Sequence, residues 1–124
     1  MLKKTHDLST GLGRLARLTD DLKFVPKNEF DLESWDCGTT ACAVGWACRM
    51  EWAQDLGLHL REEFYPQYNN FSGMVAAAAF FRLAFKEAEE LFCPLTAAQN
   101  GRSCTNIDTQ ISYMQDFLKK KGYY

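Results

Sequence analysis

The residues best suited to chemistry in this 124-residue chain are five cysteines, Cys37, Cys42, Cys48, Cys93 and Cys104, and two histidines, His6 and His59. Cys37 and Cys42 form a C-x4-C pair, a spacing that can open a structural zinc site, with Cys93 and Cys104 available to complete it. Neither histidine stands at a ligand spacing. Cys42 and Cys48 fall in one expected helix, six residues apart, so they project about 120° from each other. The sequence therefore predicts buried thiols packed as small apolar groups, with no metal and no cofactor. A second chemistry is nucleophilic. Cys37 precedes an expected helix start, where the dipole and unpaired N–H groups lower a thiol's pKa. A cysteine nucleophile needs a base, and His59 lies between two leucines of an expected strand, where it faces outward. The expectation is a protein without catalytic residues, with a cysteine enzyme built on Cys37 and a domain with a cysteine-based zinc site as alternatives. An odd cysteine count and no apolar stretch near the start match a reducing, cytoplasmic setting.

Other chemistries fail on composition or motif. Gly11-Leu12-Gly13 lacks the third glycine and the lysine of a phosphate-binding loop. A formal net charge of −2 argues against direct nucleic-acid binding, which draws on a basic excess. Lys119-Lys120-Lys121 reads as cations at a helix C-terminus, where the macrodipole favours them. No apolar run approaches the ~20 residues that cross a bilayer, so no membrane partner is expected.

The elements that must position these residues follow from periodicity. Residues 7–25 carry Leu8, Leu12, Leu15, Leu18 and Leu22 on one helical stripe, with Thr5 or Asp7 as cap and Pro26 as stop. Gly11 and Gly13 weaken its first turns. Residues 26–38 form an irregular connector pinned by Phe30, Leu32 and Trp35. A helix is predicted over 39–54, capped by Thr39 or Thr40, with Ala41, Val44, Gly45 and Cys48 as a face of small residues allowing close approach. Leu58 and Leu60 alternate, then Phe64, Pro66 and Tyr68 follow, which suggests a short hairpin near 57–68 turning at Arg61-Glu62-Glu63. A helix over 72–83 starts at Ser72. Another over 86–92 ends at Pro94, with Leu83, Phe85, Leu91 and Phe92 at the corner. Residues 94–105 read as a polar connector. Ile107, Ile111, Met114 and Leu118 predict a helix over 106–121, capped by Thr105 or Asn106, with Gly122 at its C′ position. The fold class is mainly α: one compact domain, 1–124, of four to five helices with a possible short β-hairpin.

The most distinctive stretch is Phe30-Asp31-Leu32-x-x-Trp35-x-Cys37-Gly38-Thr39-x-x-Cys42-x-x-Gly45-Trp46-Ala47. It resembles a loosely defined, uncharacterised family of small phage and bacterial proteins. Those proteins share that signature, a G-L-x-L segment (here Gly57 to Leu60) and an F-F-x-L…E-A-x-x-L-F block (here Phe80 to Phe92). The likeness covers about residues 8–118 and departs in the cysteine-containing stretch 93–105. It implies a fold and a phage or mobile-element origin, and it carries no established activity. Structurally, Phe30, Leu32 and Trp35 would clamp the connector, Gly38 would allow a tight entry, Thr39 would cap, and Cys42 with Gly45 would form the packing face beside Trp46.

Aromatic residues make up 14% of the chain, more than a domain of this size readily buries. Trp52, Phe64, Tyr65 and Tyr68 around the hairpin, with Tyr123 and Tyr124 at the tail, are the candidate anchors of a protein interface. The expected function is therefore a small non-catalytic binding protein docking on a host protein, in its sharpest form an anti-CRISPR-like inhibitor of a bacterial defence complex.

Overall fold

The computed structural model describes residues 6–31, 42–62, 65–103 and 105–123. The described part is mainly helical, with seven α-helices and one small antiparallel sheet. Leu32, Trp35, Cys37, Gly38, Thr39, Phe64, Cys104 and Tyr124 lie outside the described residues.

Helix α1 (Gly11–Asp21) buries Leu15 and Leu18, and Leu22 continues the same stripe into a 3-10 turn, Leu22–Phe24. Its cap is Thr10, whose hydroxyl accepts from the Gly13 N–H at 3.0 Å. Asp7 stands one turn earlier: its carboxylate takes the Ser9 N–H and its carbonyl takes the Thr10 N–H. Gly11 and Gly13 do more than weaken a turn. A Cβ on Gly11 would lie 2.1 Å from the Phe81 carbonyl oxygen, and one on Gly13 would lie 1.8 Å from that of Asp7. Val25 is extended, as a residue before proline prefers, and the stripe stops there.

The helix predicted over 39–54 is two helices, α2 (Ala43–Cys48) and α3 (Glu51–Asp55). Met50 is extended between them and caps α3. Cys42 takes the cap position expected of threonine, with its sulfur accepting from the Gly45 N–H at 3.4 Å. The break lets two tryptophans point to different partners. Trp46 donates its indole N–H to the Glu29 carbonyl at 2.9 Å, and Trp52 donates to the Asp21 carboxylate at 3.0 Å. Gln54 then covers the Cys48 carbonyl exposed at the end of α2, at 3.0 Å. Of the predicted small-residue face, Val44, Gly45 and Cys48 are buried, with Cys42 buried beside them, and Ala41 lies outside the described residues.

The hairpin forms as β1 (Leu58–Arg61) and β2 (Tyr65–Tyr68), and a third strand, β3 (Phe71–Ser72), extends the sheet in the order β1-β2-β3. Leu58 faces Tyr68 and Leu60 faces Pro66, so these four share the inner side, while His59, Arg61, Tyr65 and Gln67 share the outer side. Pro66 is tolerated in the middle strand because β3 pairs only with Gln67 and Tyr68.

Helix α4 (Gly73–Phe81) packs on β2 and against α1 and α5. Ser72 sits at its cap position without a side-chain bond, and Arg82 ends it in the left-handed conformation, φ 53°. Helix α5 (Phe85–Phe92) buries Leu91 and Phe92, but Phe85, expected at the corner, faces out. Pro94 does not open a connector. It is the first residue of α6 (Pro94–Gln99), where its missing N–H costs nothing. Helix α7 (Ile107–Lys120) buries Ile107, Ile111, Met114 and Leu118, takes its cap from Asn106, and closes on Gly122 at φ 80°. One apolar core joins α1 to α7 through Phe80, Phe81 and Phe92. Among the described residues, no helix is long and apolar enough to cross a membrane.

Candidate functional site

The expected interface aromatics separate into two groups. Trp52, Tyr68 and Tyr123 are turned into the fold. Trp52 is tied to Asp21, lies 6.1 Å from the Phe80 ring and carries the Arg17 guanidinium 5.4 Å above it. Tyr68 meets Phe80 edge-on at 5.3 Å. Tyr123 bonds to His6. The reason is the same for all three: a large ring that reaches the core stays there, and its polar atom finds a partner at the boundary. Of the six, Tyr65 is the one the described structure presents to solvent, at 51% exposure.

Away from Tyr65, β3 and α4 present two further apolar side chains that composition did not single out. Phe71 on β3 is 45% exposed and Val75 in the first turn of α4 is 44% exposed. They stand four residues apart across the start of α4, and β3 pairs directly with the end of β2. Phe71 pairs with Tyr68 and shares its side of the sheet, whereas Tyr65 lies three residues, about 10 Å of strand, back along β2 on the opposite side. Arg61, opposite Tyr65 on the outer side, places a charge beside that ring.

A second constellation joins residues far apart in the chain. The His6 ring is buried, with Nε2 2.7 Å from the Asp20 carboxylate and Nδ1 2.6 Å from the Tyr123 hydroxyl. A carboxylate only accepts, so in the neutral ring Nε2 carries the proton and Nδ1 accepts from the phenol. Lys23 approaches the other Asp20 oxygen at 3.7 Å. The order Asp–His–Tyr has the form of a proton relay. Burial, then the negative charges of Asp20 and Asp7, push the Tyr123 phenol above its ordinary pKa. The two bonds hold the ends of the described chain against α1. His6 and Tyr123 are 117 positions apart, and no spacing signal links them.

Arg14 is a second buried polar residue hidden within the leucine stripe. Its Nε donates to the Leu8 carbonyl at 2.8 Å and its Nη1 to the Phe80 carbonyl at 3.0 Å, near the end of α4. His59 is exposed, with Nδ1 3.2 Å from the Gly57 carbonyl oxygen. Among the described residues, no three His, Cys, Asp or Glu side chains converge as a metal site would need. A groove of about 570 Å³ runs between α5 and α7 over Tyr113 and Phe117, lined by Glu87, Glu90 and Asp116 and by Lys119, Lys120 and Lys121.

Compared with protein-family models, curated proteins and solved structures, the chain finds no match in any of the three.

Proposed function

We propose that this protein is a small non-catalytic binding module that docks on another protein through the corner where β2, β3 and α4 meet. One observation carries the reading: Phe71 and Val75 remain about half exposed at 45% and 44%, on two adjoining elements, while the neighbouring Tyr68 and Phe80 are drawn into the core. Aromatic side chains ringed by polar groups are the usual anchors of an interface. The imidazoles support a role without acid–base chemistry. Both ring nitrogens of His6 are committed within the fold, and His59 is exposed on the outer side of β1, across from Gln67. The resemblance of the Phe30–Ala47 segment to small phage proteins names the partner class to try first, a cytoplasmic host defence complex.

Affinity capture tests this with three forms of the chain: the natural sequence, a Phe71→Ala/Val75→Ala variant, and Leu95→Ala as a control on an exposed apolar residue elsewhere. A protein retained by the natural chain and the control but lost by the corner variant supports the proposal. Equal retention by all three removes the corner as the docking surface. No specific retention by the natural chain removes docking itself.

A further inference from the structure

Two buried polar atoms near the junction of α5, α6 and α7 have no partner among the described residues: Nε of Arg102 and Oε1 of Gln110. Both side chains are otherwise anchored. Gln110 is 1% exposed, and its Nε2 donates to the Leu91 carbonyl at 2.8 Å. That bond fixes the amide orientation, because a flipped amide would set its oxygen against the carbonyl oxygen. Arg102 donates Nη2 to the Glu90 carbonyl, and its guanidinium lies over the Tyr113 ring at 3.7 Å. Glu90 and Leu91 are successive residues near the end of α5. Gln110 and Tyr113, three apart on α7, are on neighbouring positions of one helix face.

The two orphaned atoms are complementary, one a donor and the other an acceptor. Native folds leave very few such groups unpaired, and an internal water molecule is the usual partner where two to four polar atoms surround it. We propose that one internal water bridges Arg102 Nε and Gln110 Oε1, accepting from the guanidinium and donating to the amide oxygen. A cleft of about 440 Å³, with Arg102, Asp108, Tyr113 and Asp116 among its lining, brings solvent to the Arg102 side; Gln110 lies outside that lining. The bridge would tie α7 to the end of α5 and hold Arg102 flat against Tyr113. It is independent of the docking corner.

A crystal structure of the full chain, at a resolution that shows ordered solvent, tests the proposal directly. The expected result is one solvent peak within about 2.7–3.2 Å of both atoms. A direct bond between the two side chains, or other protein partners for both with no solvent peak, overturns it. A cycle of Arg102→Leu, Gln110→Leu and the double variant gives an independent reading. The unfolding constants should depart from simple multiplication by about threefold or more, and clean multiplication overturns the bridge.

Discussion

The backbone of Gly11 lies so close to Phe81 that a Cβ on the glycine would sit 2.1 Å from the Phe81 carbonyl oxygen. Helices α1 and α4 therefore meet backbone to backbone at this point, and Arg82, in its left-handed conformation, lies against the same contact. Arg14 reaches across from α1 to the Phe80 carbonyl at 3.0 Å, so a side-chain bond reinforces the close approach.

Gly11→Ala should consequently destabilise the fold by about 2 kcal/mol, because the atoms in the way are backbone and cannot rotate aside. Helix propensity alone predicts the reverse, a gain of up to about 1 kcal/mol. Urea unfolding of the variant decides between them, and a raised midpoint would show that α1 and α4 separate freely.

Tyr123→Phe removes the hydroxyl that donates to His6 and leaves a buried ring nitrogen without its partner. A loss of about 1–3 kcal/mol at neutral pH is expected. The same substitution should change the alkaline limb. The folded-state pKa of Tyr123 is raised, so the folded chain holds a proton that the unfolded chain releases above about pH 10. Stability from this group is fully present below that pH and is lost as pH rises through the raised value. The natural chain should lose stability more steeply than Tyr123→Phe above about pH 10. Identical slopes would mean that the phenol is not held as described.

Glu87 links two helices. Its carboxylate pairs with Lys121 beyond α7 and accepts the Ala84 N–H at the start of α5 at 2.9 Å. The Lys121 hydrogen bond first, then the Ala84 N–H, holds its pKa below the ordinary carboxyl value. The stability it contributes is present above about pH 4.3 and is lost as pH falls through the lowered value. Glu87→Gln keeps an oxygen for the Ala84 N–H and removes the charge that pairs with Lys121, so it should cost about 0.2–1 kcal/mol at pH 7. The difference from the natural chain should vanish in acid, and a difference that persists at pH 2 would contradict this assignment.

Tyr65→Ala should leave thermal stability within about 0.5 kcal/mol of the natural chain, as an exposed side chain away from the core does. Trp52→Ala removes the indole bond to Asp21 and the contact with Phe80, and should cost about 3 kcal/mol or more. Calorimetry on the pair separates a presented aromatic from a packed one. A large loss from Tyr65→Ala would place Tyr65 among the structural rings.

Much of the architecture is legible in the order of residues because it is local. The Leu15, Leu18 and Leu22 stripe and the Ile107 to Leu118 stripe repeat at helical steps, and the Asn106 cap and the Gly122 stop flank the second of them. Leu58 and Leu60 alternate as a strand with one buried side must. Local signals fail where one residue type serves two ends of an element. Pro94 reads as a stop and is equally suited to be the first residue of α6. Residues 39–54 have no breaker at Met50, and the division into α2 and α3 follows from where Glu29 and Asp21 lie for the two indoles.

The exposure of Tyr65 follows from the hairpin, since its side of β2 is opposite to that of Pro66 and Tyr68. The proposed docking corner is not legible in that way. Phe71 and Val75 belong to β3 and the first turn of α4, which composition could not mark as exposed. By itself, the order of residues determined the helical class, the two main apolar stripes and the hairpin, because those depend on neighbours within one or two turns. Tertiary structure alone decided that Gly11 meets Phe81 and that His6 joins Asp20 to Tyr123. It also decided that Trp52, Tyr68 and Tyr123 are packed inward. Each of those contacts pairs groups from distant segments, and close packing, which no local pattern encodes, selects them.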